Sequence, residues 1–139
     1  MKPTLPNIVL DSSAIFALLQ NEAGKPRVKE ILRRSEKLEL QVFFSVINLG
    51  EVLYQIERRR GVETVRETLL TIEALPIEIL PATRARVFAA AHIKANYTIS
   101  YADAFAVAAA QEFDAPVLTG DPEFHYVDRV IRIEWLPQK

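Results

Sequence analysis

The sequence predicts a three-layer α/β/α domain on a mostly parallel sheet of about five strands. Two observations carry this. Short apolar runs alternate with longer amphipathic ones along the whole chain, the pattern of strands joined by right-handed helical crossovers. The 139 residues, half of them hydrophobic, suit one domain with a sizeable core. No internal repeat or low-complexity tract interrupts the alternation.

The elements follow in order. Ile8–Leu10 reads as a buried strand, bounded by Pro6-Asn7 and Asp11, and residues 12–20 as the helix after it. Lys25–Ser35 is a more polar helix, and Leu38–Phe44 (LELQVFF) alternates and then turns wholly apolar, as a second strand would. Ser45 can cap a helix running to about Arg60, where RRRG ends it with basic residues and a glycine. Residues 62–74 form another helix candidate and Pro76–Leu80 a short strand. Pro81 to Asn96 reads as helix, opened by Pro81 or Ala82, and Ser100 to Phe113 as a further one. Pro116–Thr119 and Val130–Ile133 are the last strands.

Seventeen basic and eighteen acidic residues leave a formal charge of −1, so any attraction to nucleic acid must be local. Absence of cysteine excludes disulfides and thiolate metal sites. The segment MKPTLPNIVLDSS lacks the apolar core of a secretory signal, and no apolar run approaches the roughly 18 residues of a membrane span. The expectation is a single soluble, cytoplasmic domain over residues 1–139, with no membrane contact.

Open sheets of this kind work beyond the C-terminal ends of their strands, where strand order reverses. Four acids in apolar settings draw notice: Asp11 after the first strand, Glu51 in SVINLGEVLYQ, Asp103 in SYADAFAVAAA and Asp121 in LTGDPEF. Each has an ordinary explanation. Asp11 can cap the next helix. Asp103 stands three residues after Ser100, as in a capping box. Glu51 points away from the arc shared by Val46, Leu49, Val52, Leu53 and Ile56, and Asp121 in Gly-Asp-Pro suits a turn. Taken together they say more. If the first and fourth strands are neighbours, Asp11 and Asp121 meet at one edge, and the first turn of the Ser100 helix can present Asp103 there. Carboxylates so placed repel one another and raise their own pKa values unless a cation holds them. Oxygen-only ligands favour a hard ion, Mg²⁺ or Mn²⁺. His92 and His125 lie outside these stretches and read as surface residues.

In order and setting, the four acids resemble those of the PIN-domain nucleases. VLDSSAIFALL resembles their opening strand and helix, FFSVINLGEVLYQIERRRG the segment carrying their glutamate, and SYADAFAVAAA and VLTGDPEF those carrying their later aspartates. The likeness runs from about Ile8 to Trp135, and the length looks most like the VapC-like toxin of a type II toxin–antitoxin pair. The resemblance implies strand order 3-2-1-4-5, metal-dependent cleavage of RNA, and Asp11, Glu51, Asp103 and Asp121 as site acids. Ser12 and Thr119 stand beside them to orient a carboxylate or a bound water. Glu123, where some members carry a further acid, is read as facing solvent. It also implies an antitoxin partner and self-association as a homodimer or larger oligomer.

Basic residues cluster at Arg58–Arg60, at Lys25, Arg27, Lys29, Arg33 and Arg34, and at Arg84 and Arg86. They can contact phosphates, or simply suit helix ends and solvated faces. Leu53, Ile56, Val62, Val65, Leu69, Leu70 and Ile72 can pack the core or line a groove for a partner helix. An inactive scaffold with the same fold is the main alternative. A receiver-like signalling domain would need an Asp after the third strand and a Lys after the fifth, but PIEILPATR lacks the first and IRIEWLPQK has its lysine only at the last position. A haloacid-dehalogenase-like phosphatase would need Asp where Ser13 stands.

Overall fold

The computed structural model describes residues 5–138. Its sheet is five-stranded and wholly parallel, in the order β3-β2-β1-β4-β5. The strands are β1 (Asn7–Leu10), β2 (Gln41–Ser45), β3 (Glu78–Leu80), β4 (Val117–Thr119) and β5 (Ile133–Trp135). The helices are α1 (Ser12–Leu19), α2 (Lys25–Glu36), α3 (Val46–Arg60), α4 (Val62–Glu73), α5 (Arg84–Asn96) and α6 (Tyr101–Glu112), with a 3₁₀ helix at Pro122–Val127.

Strand alternation divides the core in two. Ile8, Leu10, Val42, Phe44 and Leu118 face a cluster built with α1, α2 and residues of α3 and α4. Val9, Phe43 and Val117 face the other, built with α5, α6 and the 3₁₀ helix. Strands covered on both faces must be apolar throughout, which is why they read as unbroken hydrophobic runs. The α3–α4 residues are mostly core: Ile56 and Ile72 are buried, and Leu53, Val65 and Leu69 pack on the first cluster, leaving Tyr54, Val62 and Leu70 exposed.

Several boundaries move from their sequence-based positions, each for a local reason. Chain at Leu38 turns through φ 61°, with backbone bonds from Leu38 and Glu39 back to α2, so β2 starts only at Gln41. Thr83 Oγ1 accepts the Arg86 N–H, which starts α5 at Arg84, later than Pro81 or Ala82. Val130 and Ile131 donate their N–H groups to the Val127 carbonyl, holding the chain in a turn; β5 therefore begins at Ile133, at the end of the stretch expected for it. The 3₁₀ helix had no counterpart in the sequence reading. Gly61, at φ 85°, joins α3 to α4 in a left-handed conformation that a side chain would strain.

What matters for function is the junction of β1 and β4. Leu10 pairs with Leu118, so the chain leaves both strands side by side, with Asp11 and Thr119 at their ends. From β1 the chain crosses to β2 and β3 on one side, and β4 and β5 lie on the other, which makes this the place where strand order reverses.

Candidate metal centre

Asp11 is fully buried. Its Oδ1 accepts the Ala14 N–H at 3.0 Å and the Ser13 hydroxyl at 2.7 Å, and its Oδ2 accepts the Thr119 hydroxyl at 2.5 Å. The capping role and the site role thus coincide: the residue that starts α1 also stands at the mouth of β4. Thr119 carries the link further, since its Oγ1 accepts the Asp121 N–H at 2.9 Å. Ser13 closes the loop by accepting the Gly120 N–H at 2.9 Å. The serine that grips Asp11 is Ser13; Ser12 is the first residue of α1 and makes no side-chain hydrogen bond to the site among the described residues.

Asp121 caps the 3₁₀ helix through Oδ1, which accepts the Glu123 N–H at 2.9 Å. Four residues after Thr119 and two after Asp121, Glu123 is turned inward by that same short helix. Its core anchor is the fully buried Phe124. Carboxylate oxygens of Asp103, Asp121 and Glu123 lie within 4.8 Å of one another. Glu123 therefore belongs to the acid cluster, and the expectation that it faces solvent is corrected: the 3₁₀ turn, invisible to helical or strand periodicity, rotates it toward Asp103.

Asp103 enters from α6. Ser100 Oγ accepts the Asp103 N–H at 3.1 Å and caps the helix, but the return bond of a capping box is missing. The Asp103 carboxyl is spent instead on the site, where it is buried. Burial, and then the charges of Asp11, Asp121, Glu123 and Glu51, push it up to about 8. Burial also lifts Asp11 to about 6, against the downward pull of Thr119, Ser13 and Ala14. Asp11 and Glu51 lie outside the 4.8 Å group yet close enough for their charges to act on Asp103.

Glu51 is half-buried on α3, and its buried Oε1 has no hydrogen-bond partner. One helical turn before it, the fully buried Asn48 donates from Nδ2 to the Ala102 carbonyl at 3.1 Å, tying α3 to the first turn of α6. Asn48 escaped the sequence reading, although a polar residue one turn from Glu51 among Val, Ile and Leu was a signal. His92 and His125 are exposed, and neither joins the acid group.

An oxygen-only donor set, two buried carboxyls raised above their ordinary range and an orphaned Glu51 oxygen together fit a hard divalent cation. Asp103, Asp121 and Glu123 are the residues that would hold it, and the charges of Asp11 and Glu51 act on the same point. Three carboxylates drawn together at the reversal point of a parallel sheet define the protein's class, an α/β domain with a candidate divalent-metal centre. The chain belongs to the PIN domain family, whose family model matches residues 8–130. PIN domains form a nuclease family that depends on divalent metal. No curated protein matches the chain by sequence.

Solved structures share the fold. A chain of VapBC2 from Rickettsia felis, bound to a promoter DNA fragment, superposes with a TM-score of 0.71 at 14% identity, covering 94% of this chain and 99% of its own. Mycobacterium tuberculosis VapC20, a Sarcin-Ricin loop cleaving toxin, gives 0.71 at 18% identity, with the same coverage of 94% and 99%. DNA-bound VapBC from Salmonella typhimurium gives 0.70 at 20% identity, covering 94% and 98%.

Proposed function

We propose that the protein is a metal-dependent endoribonuclease that hydrolyses RNA phosphodiester bonds, and the toxin of a toxin–antitoxin pair. The observation that carries the reading is the convergence of Asp103, Asp121 and Glu123 within 4.8 Å beside the buried Asp11. Mg²⁺ or Mn²⁺ bound there would polarise the phosphate and lower the pKa of a bound water. The chain's own residues do the rest. Thr119 and Ser13 fix both oxygens of Asp11, so its charge stays aimed at the same point. Glu51 Oε1, without a protein partner, is free to accept a proton from the attacking water. Asn48 holds the Glu51 helix against the Asp103 helix, keeping the two carboxyls in register.

The toxin assignment draws on the likeness to VapC and VapBC chains over nearly their full length. Exposed Tyr54, Val62 and Leu70 on α3 and α4 give an antitoxin helix or a second copy of the chain apolar surface to cover. Among the described residues no helix is long and apolar enough to cross a membrane, in keeping with action in the cytoplasm.

The test is cleavage of single-stranded and structured RNA with Mg²⁺, Mn²⁺ or chelator. Wild-type protein should cut only with metal, and Asp11→Asn should abolish cleavage while melting as a folded protein. Full activity of Asp11→Asn at saturating metal would reject the reading. A folded wild type inert with every metal and RNA would instead favour the non-catalytic scaffold.

A further inference from the structure

The sequence leaves five basic residues of α2 equivalent, but the structure sorts them. Arg27 is taken by Glu134 of β5 in a two-point pair at 2.7 and 2.9 Å, and by Glu30 at 3.1 Å. Arg34 is paired with Glu39 at 3.5 Å. Lys25, Lys29 and Arg33 make no ion pair among the described residues. At spacing i, i+4, i+8 they form one stripe, about 12 Å long. All three line a single surface depression, which also takes in Glu22 and Ala23.

Glu22 and Ala23 line a second depression too, a cleft of about 480 Å³ whose far wall is Ser13, Gly120 and Asp121. That cleft is within the size range of small-ligand sites, roughly 300–1,000 Å³. Its rim is the segment after β5, held by the Leu136 N–H on the Thr119 carbonyl at 2.8 Å, with the Gln138 amide lying over Gly120. A continuous path therefore leads from the acid cluster, through the cleft, to three unpaired cations.

We propose that the RNA strand, on leaving the acid cluster, crosses this cleft and lays its phosphates on Lys25, Lys29 and Arg33. The proposal rests on the nuclease reading for its direction, and on charge for its occupant. Phosphates need cations that are not already neutralised, and this stripe is an unpaired basic surface joined to Asp121 through the residues shared by the two depressions. Glu22, at the junction, opposes a phosphate there and sets the first contact beyond it, at Lys25. Arg86 lies apart from this path, held by Glu112 at 2.9 and 3.0 Å across the sheet from α2, whereas Arg59 and Arg60 line a neighbouring depression with Leu19 and Gln20.

The test is equilibrium binding of a fluorescent single-stranded RNA, followed by anisotropy from 50 to 200 mM salt in Ca²⁺ or chelator, so that cleavage plays no part. Lys25→Gln/Lys29→Gln/Arg33→Gln should lower the slope of log affinity against log salt by about 2, so that wild type weakens about 20-fold more than the variant over that range. An Arg84→Gln/Lys94→Gln/Arg129→Gln control, with equal charge loss on the opposite layer, should leave the slope unchanged. Glu22→Gln should tighten binding several-fold. In the cleavage assay the α2 variant should raise KM and spare kcat. An unchanged slope, or an equal drop in the control, overturns the proposal even if the protein cuts RNA. Unchanged RNA binding with loss of binding to poly-glutamate also overturns it, and assigns the stripe to an acidic protein partner. Failure of wild type to cleave rejects the nuclease reading alone, because the salt slope still decides where RNA binds.

Discussion

Replacing Asp103 with Asn should make the metal-free protein more stable while destroying its use of metal. The carboxyl is buried, accepts no hydrogen bond among the described residues and is lifted from its ordinary 3.8 to about 8. At pH 7.5 the unfolded chain has it ionised and the native protein has it largely protonated. At about 1.36 kcal/mol per pKa unit, that mismatch opposes folding by up to roughly 5 kcal/mol. Neighbouring acids share part of it and water can enter, so about half is a reasonable expectation, or a gain of about 2–3 kcal/mol for Asn. For a chain of this length each kcal/mol is worth roughly 3–5 °C in Tm, giving a rise of about 6–15 °C. The assay is thermal melting in chelator and then in millimolar Mn²⁺. Wild type should gain stability with metal, since a ligand bound only by the native state raises Tm. Asp103→Asn should start higher and gain little. A variant less stable than wild type in chelator, or one with an undiminished metal shift, would refute the reasoning.

Other perturbations probe the same frame. Because Asp11 and Asp103 are raised to about 6 and about 8, the native state binds more protons than the unfolded one between about pH 4 and 8. The stability these two groups contribute to the metal-free protein should therefore be highest below about pH 4, fall by up to about 1.4 kcal/mol per unit for each carboxyl, and level off above about pH 8; denaturant titrations that show stability rising from pH 5 to 8 would contradict this. Thr119→Val strips the buried Asp11 Oδ2 and the Asp121 N–H of one partner and should cost about 1–3 kcal/mol in urea unfolding, with Thr119→Ser recovering most of it. Phe124→Ala should cost about 3–5 kcal/mol and weaken metal binding as well, because Phe124 seats the turn that carries Glu123.

Much of this centre was legible before any coordinates. Strands buried on both faces must be apolar throughout, so Ile8-Val9-Leu10 and Val42-Phe43-Phe44 stand out, and an acid at the end of such a run marks the sheet edge. That logic located Asp11, and the first turn of the Ser100 helix, facing the edge shared by the first and fourth strands, pointed to Asp103. Ser12 and Ser13 are adjacent and chemically equal, and helix geometry alone chooses Ser13, whose hydroxyl points back over the Asp11 carboxylate. Glu123 was misjudged because a 3₁₀ turn has neither the 3.6 nor the 2.0 period that pattern reading relies on. The roles within α2 were equally hidden: Arg27 and Lys29 look alike until β5 brings Glu134 to one of them. Pairings across more than a hundred residues belong to tertiary structure, and no local pattern announces them.

The most direct test of the central claim is anomalous diffraction at the manganese edge from crystals soaked in Mn²⁺. A peak in coordination contact, about 2.0–2.2 Å, with carboxylate oxygens of Asp103, Asp121 and Glu123 is the predicted result. Fully ordered carboxylates with no peak among them at millimolar Mn²⁺ would contradict it, and the hydrolytic mechanism would fall with it.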